Sequence, residues 1–428
     1  MTSPEYAHHF TIQNLPYGIA SSPTHPTPQC ATRLHNTIIF LADLHDAGLF
    51  SSIPALPANV FTNPTLNSFA ALPQQTHSQI RHVLKSTLQQ TGPPLALALP
   101  LPLPSTSMAD ISTVTMHLPV SIPSFTDFSA SLPHNQNAGR IILGHDSLPP
   151  AFFHFPIGYA GRASMIAISG TPITRPVGHI CIWEGTSAPE QTKKKKKEKN
   201  VIFAPCQSLD YELELGVIIG KPLARGTGLN AVDAEEHIFG LVVLNDWSAR
   251  DIQSLEMIPL GPLNGKSFAT TISPWIIPLS ALAPFKTTGP EPRVSLPPHL
   301  QDPGAFNYDI TVMAELEGEG LAGRTVMGRS NAKELFWSIR QMAAHLASTG
   351  CDLRTGEVLG TGTVSGEVEG SFGSLLEVTR GGRVGIGCVG RERGYLVDGD
   401  VVRLSAWAGE GVGFGECVGV VRAAALPN

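Results

Sequence analysis

The chain has 428 residues, a formal net charge of −6, 42% hydrophobic residues and only 15% charged residues. Its length exceeds one average domain of roughly 150 residues, so two domains are expected. The acidic balance argues against nucleic acid or an anionic membrane as the main partner, since both need a basic surface. The 42 glycines and 36 prolines favour short strands and many turns over long helices. No apolar run reaches the roughly 18 residues that a membrane-spanning helix needs. The N-terminal MTSPEYAHHF has neither a basic nor an apolar region of the secretory kind. The cysteines Cys30, Cys181, Cys206, Cys351, Cys388 and Cys417 are scattered, with no CxxC pair. They are expected to be reduced, in a cytoplasmic protein without structural zinc.

Residues 1–120 are rich in Pro and Ser, with a helical pattern near Ser78–Gln89. They are expected to form a small independent module, joined by the proline-broken segment Pro93–Ser107 to a second domain over residues 121–428. Beyond Val120, apolar runs alternate with glycine turns: IAISGTPI, YELELGVIIG, LVVLND, EVLGTGTVSG, YLVDGDVVRLSAWAG and GVGFGECVGVV. This spacing predicts an all-β roll or sandwich. Lys193–Lys199 (KKKKKEK) is expected to be a solvated loop rather than a nucleic-acid patch, because no aromatic residue is interleaved with it. A helical turn is predicted at Asp233–Ile238, feeding the strand Leu241–Asn245. One longer helix is predicted over Asn331–Ser348, with Leu335, Ile339, Met342 and Leu346 on one stripe and Gly350 just past its end.

Chemistry is expected where polar groups interrupt these runs. Glu212 and Glu214 lie two apart on the strand predicted over Leu209–Gly220, so they share a face. They form either a metal site or an ordinary solvent-facing alternation, because two buried carboxylates repel unless a cation neutralises them. The strand Gly240–Asn245 ends in Asp246-Trp247-Ser248-Ala249-Arg250-Asp251-Ile252-Gln253. Asp246 either completes an all-oxygen cluster suited to Mg²⁺ or Ca²⁺ or caps the following turn. Lys266, flanked by glycine and small residues, either polarises an oxyanion or reaches solvent. His134 follows Asp127 in TDFSASLPHNQN, and Glu377 closes GSFGSLLE, read as an apolar strand. A buried Glu can orient a histidine as a general base, although a core-edge ion pair fits Glu377 as well.

In order along the chain, FTIQNLPYGIA, TLNSFAAL, TMHLPV and FPIGYAGRASMIAISGTPI are followed by EEHIFGLVVLNDWSARDIQSLEMIPLGPLNGKSFATTISPWIIP. GTGTVSG, GSFGSLLE, YLVDGD and GFGECVG come after. Together they resemble the fumarylacetoacetate hydrolase family over nearly the full length. The resemblance implies a mainly β protein: a small N-terminal SH3-like barrel, then a C-terminal β-roll with a few helices, assembled as a homodimer. It implies a hydrolase that cuts a carbon–carbon bond of a β-diketo acid in tyrosine and phenylalanine catabolism. Asp127, Glu212, Glu214 and Asp246 match the family's carboxylate ligands for Ca²⁺ or Mg²⁺, and Lys266 and Thr270 match positions tied to a second ion. His134 matches the general base and Glu377 its orienting carboxylate. Arg250, Gln253 and Lys266 match groups that receive negative charge from the substrate, and Tyr159 and Thr363 match substrate contacts.

The chain departs from the family pattern in one cluster. Ser129 and Met257 stand where the family carries tyrosines, Leu143 stands where it carries an arginine that holds the substrate carboxylate, and Ala269 replaces a glycine. Two alternatives follow: a paralogue acting by hydrolysis or decarboxylation on another β-keto or acylpyruvate-type acid, and a non-catalytic member. The intact His134, Glu377 and four carboxylates argue against the latter.

Overall fold

Short β-runs punctuated by glycine and proline become sheets in the computed structural model. It describes residues 4–425 except 55, 90–104, 146–147, 184–198, 305 and 387–392. Most of the Pro93–Ser107 segment and all of the lysine run except Lys199 therefore lie outside the described residues. The fold is mainly β with a few helices.

An N-terminal antiparallel sheet orders its strands Met108–Asp110, Thr37–Phe40, Gln29–Leu34, Tyr17–Ser21 and Thr115–His117. A helix, Gln74–Gln89, belongs to the same part of the chain. This part is not self-contained. Its core residues Tyr17, Phe61 and Phe69 form one apolar cluster with Val242, Leu244, Ile272, Ile276 and Val358 from the larger sheet. The backbones of Tyr17 and Ile276 also exchange hydrogen bonds of 3.0 and 2.8 Å. The expected independent module thus shares its core with the rest of the chain.

The site-bearing sheet runs Gly158–Ala160, Phe125–Phe128, Val358–Gly360, Leu213–Ile219, Ile238–Asp246, Thr270–Ile272 and Ile166–Ile168, with Ile277–Pro278 beside Ile238–Asp246. Every residue of Leu213–Ile219 and Ile238–Asp246 is buried, which explains why these strands read as continuous apolar runs rather than alternations. A further sheet orders Thr325–Asn331, Thr311–Glu317, Val401–Ala408, Val412–Arg422 and Ile173–Thr174. Trp247, Trp275 and Trp337 are fully buried in the core.

Four local expectations change. Leu209–Gly220 is not one strand: Leu209–Asp210 pairs with Ser248–Ala249, the chain jogs at Tyr211–Glu212, and pairing resumes at Leu213. Asp233–Ile238 is a 3₁₀ segment, Ala231–His237. The helix expected over Asn331–Ser348 spans only Ile339–Ala347, because Ser338 caps it: Ser338 and Gln341 exchange side-chain-to-backbone hydrogen bonds of 3.2 and 3.1 Å. Asn331 instead ends a strand and Ala332–Glu334 is a 3₁₀ turn. Finally, Glu377 sits on a one-turn helix, Leu375–Val378, and not on a strand.

Candidate active site

Sheet register brings the acidic residues together. Asp127 is paired with Gly360 on the neighbouring parallel strand, and Gly360 is paired in turn with Gly216 on the strand of Glu214. Glu214 lies opposite Leu244, two residues before Asp246, and Asp246 lies opposite Thr270. Carboxylate oxygens of Asp127, Glu212, Glu214 and Asp246 consequently lie within 4.8 Å of one another, and all four residues are buried. A glycine is required between them: a Cβ at Gly360 would stand 2.5 Å from Asp127 Oδ1 and 2.9 Å from Glu214 Oε2.

Two cations offset part of this charge. Lys266 Nζ donates to Glu212 Oε2 and, at 2.6 Å, to Asp246 Oδ2. Arg250 reaches Glu212 Oε1 at 2.8 Å and Asp210 Oδ2 at 2.9 Å. Burial would raise the Glu212 carboxyl, but Lys266 and Arg250 outweigh it and hold the group ionised. For Asp127 and Glu214 the relief that Lys266 provides is too small. Burial, reinforced by the neighbouring carboxylates, pushes both well above the usual carboxylate range. Asp127 Oδ1 and Glu214 Oε1 are buried with no hydrogen-bond partner. Two orphaned, mutually repelling carboxylate oxygens facing an all-oxygen donor set fit a hard divalent cation. Lys266 contributes charge to this set and no ligand atom, since burial is overridden by Asp246 and Glu212 and its ammonium stays protonated, with donors only. Thr270 Oγ1 donates to Asp246 Oδ1 at 3.1 Å, and Tyr159 Oη to Asp246 Oδ2 at 2.8 Å.

Beside the cluster lies the His134–Glu377 pair. His134 enters at the third position of the helix Leu132–Leu143, which starts with the Ser131 hydroxyl accepting from the His134 amide and stops at left-handed Gly144. Its Nδ1 is 2.9 Å from Glu377 Oε2. That oxygen also accepts from Ser365 at 2.8 Å and Ser374 at 2.9 Å, while Oε1 accepts from Asn137 at 2.9 Å. An ionised carboxylate only accepts, so Nδ1 carries a proton, and in the neutral form of the ring Nε2 is left with the lone pair. Burial alone would depress the imidazole, but the charge and hydrogen bond of Glu377 outweigh it and the net shift is upward. For Glu377 burial is likewise overridden, by His134 and its other donors, and the carboxyl is lowered.

Asp210 ties these parts together. One oxygen meets Arg250, and the pair also accept from the amides of Leu375 (2.8 Å) and Leu376 (2.9 Å), which open the Glu377 helix. Sequence reasoning missed Asp210, as it missed Ser365, Ser374 and Asn137. The signal for Asp210 was its place two residues ahead of Glu212, in the short strand Leu209–Asp210.

A cavity of about 790 Å³ opens onto the cluster, lined in part by Asp127, His134, Tyr159, Glu212, Arg250, Gln253 and Lys266. Ser129, Met257 and Thr363 line it too, and the buried Thr363 Oγ1 has no hydrogen-bond partner. Leu143 does not line it and is 57% exposed at the end of its helix. The expectation that Leu143 sits at the substrate is therefore not met.

Hard oxygen donors beside a histidine held by a buried carboxylate, next to a cavity in a mainly β scaffold, suit hydrolysis of an oxygen-rich small molecule. The chain belongs to the fumarylacetoacetate hydrolase family. Residues 124–422 match its C-terminal part, "Fumarylacetoacetate (FAA) hydrolase C-terminal", and residues 13–119 match "Fumarylacetoacetase N-terminal". The chain is 42% identical to a fumarylacetoacetase of Aspergillus fumigatus, covering 96% of this chain and 95% of that one. It is 38% identical to the fumarylacetoacetase of Mus musculus and 37% identical to that of Homo sapiens, in each case covering 98% of this chain and 97% of the relative. Among solved structures, the fold is similar to a fumarylacetoacetate hydrolase from Exiguobacterium antarcticum (TM-score 0.53, 16% identity, 96% of this chain and 99% of that one). A putative HpcE protein from Mycobacterium smegmatis shares it as well (TM-score 0.51, 18% identity, 95% and 99%).

Proposed function

We propose that this chain hydrolyses fumarylacetoacetate at a carbon–carbon bond, releasing fumarate and acetoacetate, as a homodimeric cytoplasmic enzyme of tyrosine and phenylalanine catabolism. The observation that carries the assignment is a cluster of four carboxylates next to the His134–Glu377 pair, with Asp127, Glu212 and His134 lining one cavity. Relatives that match across nearly the whole chain bear the name fumarylacetoacetase, and neither a non-catalytic role nor another acid is favoured by them. Family membership supports the homodimer, the N-terminal SH3-like barrel over residues 1–120 and the β-roll over 121–428. The free cysteines Cys30, Cys181, Cys206, Cys351 and Cys417 accord with a reducing compartment.

In this chemistry His134 Nε2 removes a proton from water while Glu377 steadies the imidazolium that forms. The water oxygen bonds to the carbonyl carbon on the fumaryl side, and the carbonyl electron pair moves onto oxygen. Lys266 has used two of its three donors on carboxylates, leaving one for that oxyanion. Gln253 offers its amide, whose only described donation is a 3.8 Å contact to Met257 sulfur. Arg250 completes the positive wall, and Tyr159 and Thr363 present hydroxyls to the bound acid. When the carbonyl re-forms, the carbon–carbon bond breaks and its electron pair goes to the acetoacetate carbon. The His134 imidazolium then protonates that carbon, and the new fumaric acid group loses its proton to solvent. Asp127, Glu212, Glu214 and Asp246 would hold a divalent cation, Ca²⁺ or Mg²⁺, which when bound would supply Lewis-acid polarisation of the diketone. Incubating the Mg²⁺-loaded protein with fumarylacetoacetate and resolving the products by NMR tests the assignment. Fumarate and acetoacetate in equal amounts support it, and unchanged substrate refutes it.

A further inference from the structure

The cavity is lined by four described side chains that can carry positive charge: His134, Arg250, Lys266 and Arg383. Three of them are bound to carboxylates: His134 to Glu377, Arg250 to Asp210 and Glu212, and Lys266 to Glu212 and Asp246. Arg383 has no hydrogen-bond or ion-pair partner among the described residues. We propose that Arg383 is the specificity-determining group of this site, receiving a terminal carboxylate of the substrate at the cavity mouth. The proposal rests on the hydrolysis of a dicarboxylic β-diketo acid argued above.

The backbone around Arg383 is built to hold it there. Arg380, Gly381 and Gly382 all adopt left-handed conformations, with φ of 53°, 73° and 79°. Only glycine takes up such angles freely, so three in a row mark a turn imposed by its surroundings. That turn is tied directly to the helix of Glu377. The amides of Arg380 and Gly381 bond the carbonyls of Glu377 (3.2 Å) and Leu376 (2.8 Å), and Val384 N bonds Thr379 O at 2.9 Å. Gly382 N adds a bond of 3.0 Å to Thr379 Oγ1. A Cβ at Gly381 would come within 2.9 Å of Ile141 Cγ2, and one at Gly382 within 3.0 Å of Tyr395 Cε2. The turn is thus wedged between the His134 helix and Tyr395, while the guanidinium beyond it is exposed. A fixed base carrying a free, permanently charged fork suits bidentate capture of an incoming carboxylate.

The chemistry also leaves this task open. The diketone must lie against the carboxylate cluster and His134, so its ends project along the cavity, whose further walls include the apolar Ile141, Ile142, Met257, Ile258 and Leu260. An anionic end placed among these residues needs a cation. Leu143 is an aliphatic residue that does not line the cavity, so Arg383 supplies the charge.

The test is steady-state kinetics of the metal-loaded wild type, Arg383→Met and Arg383→Lys on fumarylacetoacetate and on its two mono-esters, each masking one terminal carboxylate. In Arg383→Met the KM for the diacid should rise about tenfold while kcat changes by less than about threefold, with Arg383→Lys between the two. One of the two esters should show no difference between wild type and variant, which identifies the carboxylate that Arg383 holds. An unchanged KM in Arg383→Met, with an active wild type, overturns the proposal and leaves the assigned reaction standing. Equal sensitivity of both esters also overturns it. A wild type that does not turn over fumarylacetoacetate refutes the assigned reaction, and the proposal with it.

Discussion

His134 Nδ1 donates to Glu377 Oε2 across 2.9 Å, although the two residues are 243 positions apart in the chain. Each perturbs the other: the imidazole is raised from its ordinary 6.5 and the carboxyl lowered from its ordinary 4.5. The raised His134 contributes stability that is complete below 6.5 and lost as pH rises through its shifted value. The lowered Glu377 contributes stability that is complete above 4.5 and lost as pH falls through its shifted value. The pair therefore stabilises the fold most between these two ordinary values.

Activity follows the opposite sense for His134, because a general base must be neutral. In the wild type, kcat/KM should fall on the acid side with an apparent pKa above 6.5. Glu377→Gln removes the carboxylate, so this limb should move to lower pH while kcat drops by about 10²–10⁴. A pH–rate profile of both proteins checks the shift; an acid limb unmoved in the variant would detach Glu377 from His134.

The orphaned oxygens of Asp127 and Glu214 lead to a thermal prediction. Adding Mg²⁺ or Ca²⁺ to chelator-treated protein should raise Tm, since a ligand at a hundredfold excess over its Kd stabilises by about 2.7 kcal/mol. Asp127→Asn should lose most of that response. Calorimetric melts with and without the ion measure it, and an equal Tm rise in the variant would exclude Asp127 from the ion's shell.

Gly360 is the tightest constraint on the cluster. A Cβ there would press on Asp127 Oδ1 at 2.5 Å, so Gly360→Ala should displace that carboxylate. Divalent-ion affinity is expected to fall by about tenfold or more, as when the supporting shell of a metal site is disturbed. Isothermal titration reads this directly, and wild-type affinity would mean that the carboxylate relocates without loss.

Asp210 should matter to stability more than its lack of substrate contact suggests. Asp210→Ala leaves the buried Arg250 with Glu212 as its one carboxylate partner among the described residues and strips two amides at the start of the Glu377 helix of their acceptors. Breaking a buried ion pair costs about 3–5 kcal/mol, so the urea midpoint should drop markedly. A shift under about 1 kcal/mol would show the pair to be dispensable.

Much of the site can be read from local patterns, and some of it cannot. Glu212, Glu214 and Asp246 sit at the ends of buried strands, where a carboxylate must find a cation or a donor, and their residue types already pointed to oxygen ligation. Spacing alone left the face of Glu212 and Glu214 undecided, and the jog at Tyr211–Glu212 shows why: the strand they share is broken, so strict alternation does not govern Glu212. The helix of His134 had its signals in place, with Ser131 as cap, Pro133 in the first turn and Gly144 at the end, but its polar face hid the period. The Glu377 helix had none, because one turn cannot show a periodicity and its start is held by Asp210 from a distant strand. The late start of the helix Ile339–Ala347 was written in the Ser338/Gln341 capping pair, which the apolar stripe through Leu335 obscured.

Turnover of fumarylacetoacetate by metal-loaded His134→Ala, with ion binding followed in the same preparation, tests the central claim most directly. A kcat reduced by about 10²–10⁴ with divalent-ion binding unchanged is the predicted result. Wild-type turnover by that variant would contradict the assignment of His134 as the base that activates water.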